Sequence, residues 1–225
     1  MEAERHKDDR LAAALRGFGP VGILAFIVIA LGNLLFVPLS AILVLLWARA
    51  ARIPWTDLGF ARPRSWPRTI VLGIVSGVGL KLLMKSVVMP LLGADPINHA
   101  FHFLEGNRRA LPWALYTMVI GAGFGEETLF RGYLFDRFGR LWGTSVAGKV
   151  TTVLVSSILF ALAHVSQQGM PGAQQAAMVG VVVGTIVAVT GRLWLAMVLH
   201  AAFDLTAVAI IYWGLESRVA HWFFR

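Results

Sequence analysis

The 225-residue chain contains no cysteine. This excludes thiol catalysis, disulfides and thiolate metal ligands together. Charge is also scarce: 14% of residues are Asp, Glu, Lys or Arg, where a soluble domain carries about 25%. No GxSxG occurs, so Ser156 and Ser157 lack the setting of an activated serine, and no HExxH supplies a zinc pair from a single helix. Internal repeats and low-complexity tracts are missing too. The arginines are scattered between hydrophobic segments rather than along one face, which argues against a nucleic-acid surface.

What remains is largely apolar. Hydrophobic residues make up 57% of the chain, and several runs approach or exceed the ~18–20 residues needed to span a bilayer. The expected fold is an all-α polytopic membrane helix bundle, one domain of about seven transmembrane helices. Residues 1–16 mix acids and bases and read as a cytoplasmic N-terminal tail rather than a cleaved signal. Residues 17–68 read as a membrane hairpin and an interfacial loop. The uncharged stretch Gly17–Ala48 would make a helix of about 48 Å, too long for a core of about 30 Å. Gly32-Asn33 and Pro38 offer a turn and a break. Basic residues flank the stretch on both sides (Arg5, Lys7, Arg10 and Arg16; then Arg49, Arg52, Arg62, Arg64 and Arg68). Two short crossings would put both flanks in the cytoplasm.

Residues 69–214 form the expected core, with spans over Thr69–Leu92, Leu111 to about Phe138, Val150–His164, Ala173–Thr190 and Leu193–Trp213. Residues 215–225 are a short tail ending in aromatics and Arg225. The pairs Gly73/Gly77 and Gly180/Gly184 have GxxxG spacing, which permits close helix approach. Lys81 and Lys85 lie one turn apart on one face, either snorkelling to the interface or facing a cavity.

Ionisable residues within such spans are costly and mark candidate functional sites. Glu126 and Glu127 stand side by side in GAGFGEETLFRGYLF. Arg131, four residues on, can pair with Glu127, while Glu126, rotated by about 100°, can point elsewhere. His164 follows Phe160 by one turn, and His200 and Asp204 share a face of the last span. A glutamate and a histidine can activate water against a carbonyl while other groups hold the oxyanion. Two histidines with a carboxylate are equally a plausible zinc set. The same residues could instead form a proton relay in a transporter. The expected helix boundaries leave a mismatch in depth of order 10 Å between Glu126 and His164.

The ordered trio Glu126-Glu127-Thr-Leu-Phe-Arg131, Phe160-Ala-Leu-Ala-His164 and His200-Ala-Ala-Phe-Asp204 resembles the CPBP family of intramembrane proteases. That family includes the type II CAAX prenyl endopeptidases (Rce1-like) and the bacterial Abi proteins. Leu58-Gly59-Phe60-Ala61-Arg62-Pro63 and Arg131-Gly132 are also similar, so the resemblance runs from about Leu58 to Asp204. It implies an integral membrane endopeptidase of a bacterial or archaeal cell membrane. Its partners would be membrane lipids and a peptide or membrane-protein substrate, prenylated in some members, with no nucleic acid. Glu126 would be the catalytic carboxylate and His164 its partner in activating water. His200 and Asp204 would complete the site as oxyanion donors or, with Glu126 and His164, as ligands of a divalent metal such as zinc. Glu127, Arg131 and Phe160 would support it. Where the prenyl endopeptidases carry Asn, this chain has Asp204, which when ionised only accepts hydrogen bonds. A non-catalytic immunity or scaffold protein of the same fold is the remaining alternative.

Overall fold

A computed structural model describes residues 2–224, with side chains from Asp8 onward. Arg225 and the side chains of Arg5 and Lys7 lie outside the described residues. All regular structure among the described residues is helical, without strands. The expected N-terminal tail is a helix, α1 (Glu2–Arg16). Its terminal carbonyls are not orphaned: the Arg137 guanidinium donates to the Arg16 and Gly17 oxygens, each at 2.6 Å.

Helices α2 (Pro20–Leu31) and α3 (Leu39–Ala50) form the expected hairpin. In the turn, the Asn33 N–H donates to Ser40 Oγ at 3.0 Å and the Ser40 N–H donates to Asn33 Oδ1 at 2.9 Å. The Trp47 indole then donates to the Leu15 carbonyl at 3.1 Å, bringing the end of α3 beside the start of α2. Each arm has 12 residues, about 18 Å of helix, well short of a hydrocarbon core of about 30 Å.

Helix α4 (Trp66–Leu91) starts at Ser65, whose side chain accepts from the Arg68 N–H, with a proline in the first turn. Helix α5 (111–142) opens as Leu111–Tyr116, widens into π-helical turns over Thr117–Glu126 and Thr128–Tyr133, and closes as Leu134–Trp142. Helix α6 (Val146–Thr190) is 45 residues long and broken at Gly169, whose φ of 65° suits glycine, two residues before Pro171. Its two arms fold back on each other. A Cβ on Gly180 would lie 3.0 Å from the Ser157 side chain, and one on Gly184 would lie 3.3 Å from Val153. The second GxxxG pair therefore packs the arms of one hairpin. Helix α7 (Leu193–Tyr212) runs through the middle of the bundle against α4. A short α8 (Glu216–Ala220) ends the fold.

The seven crossings expected from the sequence are not found as such. Among the described residues, three helices are long and apolar enough to cross a membrane: α4, α6 and α7. A fourth joins them if α1 and the α2 segment, bent by 63°, count as one. The physical reasons differ by segment. Helices α2 and α3 are too short, while α6 is a single helix by length whose two folded-back arms coincide with the spans expected over Val150–His164 and Ala173–Thr190. Helix α5 carries Glu126, Glu127 and Arg131 in its middle, which lowers its hydropathy.

The segment beyond residue 214 packs on the bundle through α8. Glu216 is buried, accepts from the Asn98 N–H at 2.7 Å, and lies 3.2 Å from His102 Nδ1 and 3.6 Å from Lys85 Nζ. It pins the loop that follows α4 over the bundle. In that loop the Ile97 N–H, then His99, hold the exposed Asp95 carboxyl below its usual range.

Small residues set the closest helix approach. A Cβ on Gly77 would lie 2.3 Å from the Leu199 carbonyl oxygen of α7, whereas one on Gly79 meets nothing within 4 Å. Gly77→Val should therefore destabilise the protein by roughly 1–3 kcal/mol or more. Gly79→Ala should be neutral or stabilising by up to about 1 kcal/mol. Thermal unfolding in detergent, followed by tryptophan fluorescence, reads both. Equal midpoints for the two variants would refute this packing.

Candidate active site

The glycines of GAGFG bring α5 against its neighbours. A Cβ on Gly123 would lie 2.9 Å from Ala201 Cβ and 3.0 Å from the Met197 carbonyl oxygen of α7. Ones on Gly121 and Gly125 would meet Val37 and Pro38 at the start of α3. With no side chain at these positions, the glutamates that follow are carried directly beside His200.

Glu127 and Arg131 make the pair expected from their spacing. Arg131 donates to Glu127 Oε1 at 2.9 Å, and neither side chain is more than 1% exposed. His200 Nδ1 lies 2.7 Å from the same oxygen. Because an ionised carboxylate only accepts, the ring donates through Nδ1, which leaves Nε2 turned toward Glu126 and Asp204. The guanidinium also donates to the Gly180 carbonyl at 3.4 Å and lies 4.4 Å from the Phe160 ring centroid. Phe160 is the plate on which the site is mounted. Its ring packs edge-on against His164 at 4.5 Å and His200 at 5.7 Å, and its backbone carbonyl accepts from His164 Nδ1 at 2.8 Å. That bond makes Nδ1 the protonated nitrogen of the neutral ring and leaves the His164 Nε2 lone pair facing inward.

Glu126 lies between the two imidazoles. Its Oε2 is 4.0 Å from His164 Nε2 and 3.9 Å from His200 Nε2, and has no hydrogen-bond partner among the described residues. Asp204 Oδ2 is 3.5 Å from His200 Nε2. All four line one cavity of about 470 Å³. The depth mismatch expected from the sequence vanishes because α5 continues to Trp142, which places Glu126 mid-helix. The glutamates are not in a solvated loop.

As metal ligands these residues do not fit as placed. Among the described residues no group of three His, Asp or Glu converges as a metal ion requires. The gaps of 3.9–4.0 Å from Glu126 Oε2 to the two imidazoles are ones a single small ligand can bridge.

Of the two placements open to the lysines, the cavity-facing one holds for Lys81. Lys85 is held by Glu216 and by the Pro96 carbonyl, and Lys81 is buried against the same cavity as Glu126. Gln175 was missed by sequence reasoning. It bonds Lys81 at 3.3 Å, and its signal was a polar residue nearly two turns beyond the break in α6.

Residues 108–206 match the family model of the Rce1-like type II CAAX prenyl endopeptidases. This segment holds all three motifs, from Glu126 to Asp204. No curated protein and no solved structure matches the chain.

Breaking the buried pair should cost far more stability than altering the free carboxylate. Arg131→Met strands Glu127 and should destabilise by about 3–5 kcal/mol. Glu126→Gln should stay within about 1 kcal/mol of wild type. Thermal unfolding in detergent tests both, and a stable Arg131→Met protein would contradict the structural role of the pair.

Proposed function

We propose that this Rce1-like segment is the core of an intramembrane endopeptidase in which Glu126 and His164 activate a water. The observation that carries the reading is the position of Glu126 Oε2, free of partners and within 4.0 Å of two inward-facing imidazole nitrogens. A single water bridges such a gap with two hydrogen bonds of about 2.8 Å, one to Glu126 and one to His164. Glu126 takes a proton as the water oxygen bonds to the scissile carbonyl carbon. The carbonyl π electrons move onto oxygen, and His200 Nε2–H donates to that oxyanion. Collapse of the tetrahedral species breaks the C–N bond, and the proton held by Glu126 passes to the leaving amine. For that donation His200 carries a proton on both nitrogens throughout the cycle, its charge balanced by Glu127 and Asp204. Asp204 acts as acceptor and orienting group, the role open to an ionised aspartate.

The surroundings support a substrate delivered from the bilayer. Leu34, Phe103 and Trp113 line the cavity and are 60–80% exposed, an apolar rim around a polar floor. Gathering of the four groups in one cavity suits hydrolysis better than a relay, which would string them across the membrane. The basic flanks of the α2–α3 hairpin favour a cytoplasmic N-terminus, with α5, the α6 arms, α7 and the hairpin all membrane-embedded. A prenylated peptide is one substrate compatible with such a rim.

Glu126→Ala and His164→Ala should each lower cleavage of a fluorogenic peptide by about 10²–10⁴-fold while eluting from a sizing column like wild type. Retained cleavage in either purified variant would defeat the assignment. Asp204→Asn should be milder than His200→Ala, since it keeps an acceptor beside the ring. Chelation with EDTA or phenanthroline should leave the rate unchanged, and elemental analysis should find no stoichiometric metal. Loss of activity restored by zinc would overturn the metal-free route.

A further inference from the structure

We infer that Lys81 is the receptor for a carboxylate of the substrate and sets a preference for anionic peptides. The assignment rests on the proteolytic reading of the same cavity. Lys81 sits deep in α4 at 6% exposure, one turn beyond Gly77, where α4 and α7 come closest. An ammonium has three N–H donors and no acceptor. Here a single hydrogen bond is made, to the neutral Gln175 side chain at 3.3 Å. The remaining contact is with the face of the Phe203 ring, 4.7 Å to its centroid.

The other buried basic groups of the bundle are differently placed. Arg131 has Glu127 at 2.9 Å, Lys85 has Glu216 at 3.6 Å, and Arg137 has two helix-end carbonyls at 2.6 Å. Among the described residues no carboxylate oxygen lies within 4.0 Å of the Lys81 nitrogen. A buried ammonium without a counter-ion costs stability, so such a group is retained where an anion arrives from outside. Lys81 lines the cavity that holds Glu126, His200 and Asp204, so the arriving anion is part of whatever is cut. A peptide brings two carboxylate sources, an Asp or Glu side chain and the chain terminus. Asp204, on the next turn of α7 to Leu199 and adjacent to Phe203, is the competing account, since Lys81 could serve only to offset its charge.

The test uses quenched fluorogenic peptides that purified wild type cuts in detergent. Each is made as free acid and as C-terminal amide, and with Glu or Gln at internal positions. Wild type should prefer one carboxylate source over its neutral counterpart by about tenfold or more in kcat/KM. The source that matters is identified by which pair differs. Lys81→Met should bring that ratio within about twofold of unity, and Lys81→Arg should keep it. The ratio is read within one preparation, so partial unfolding does not affect it. A preference that survives Lys81→Met would overturn the proposal. So would the absence of any preference in wild type, or an equal loss on every peptide, the signature of a lysine that merely balances Asp204. If wild type cleaves none of the peptides, the proteolytic reading fails on its own. Binding of the free-acid and amide peptides to Glu126→Gln, with and without Lys81→Met, then decides the lysine's role. About tenfold tighter binding of the acid, lost with Lys81→Met, supports it; equal binding sinks it.

Discussion

One oxygen atom organises this protein. Glu127 Oε1 receives both the Arg131 guanidinium and the His200 ring, joining α5 to α7 at a depth where no solvent supports a charge. Each partner alone would be costly in a low-dielectric interior, so removing any one of them leaves the others uncompensated. Helix α6 enters the same arrangement through the Gly180 carbonyl and the Phe160 ring, both set on the guanidinium. Three helices are thereby held around one ionic node. Glu126 differs from Glu127 only by one step along the chain. That step leaves one carboxylate locked in the frame and the other at liberty in the cavity.

Backbone proximity makes the node reachable. The glycines at 121, 123 and 125 strip one stretch of α5 down to main chain, so α3 and α7 can come within van der Waals distance. The same stretch adopts π-helical turns, a wider winding that recurs at functional sites. The placement of the two glutamates and the helix packing are thus consequences of a single composition, GAGFG followed by two acids. The aromatic cluster of Phe60, Trp66 and Trp194, with centroid separations of 5.1–5.6 Å, anchors α4 and α7 at their shared end.

Much of this was legible in the sequence. Charge stands out against an apolar background, so the trio from Glu126 to Asp204 could be found by eye. Helix periodicity gave the Glu127–Arg131 pair, the division of roles between the glutamates, and the packing role of both GxxxG pairs. Crossing number was harder to read, because hydropathy registers composition and not path. Two short helices such as α2 and α3 give the same apolar signal as longer ones, and a folded-back helix such as α6 gives the signal of two. Lys81 was visible as a charge, but its surroundings were not. Whether a lysine reaches for the interface or stays inside depends on Gln175 and Phe203, which lie far away in sequence. The contribution of Glu216 was hidden for the same reason, as an acid in a short terminal segment that meets residues before α5.

The break at Gly169 has a mechanical corollary. His164 lies five residues before it and Gln175 six after it, so an imidazole of the cavity and the amide that bonds Lys81 hang from one elbow. Any flexing of that elbow would move both at once. Grip on the incoming chain and readiness for chemistry would then rise and fall in step, with no signal needed to pass between them.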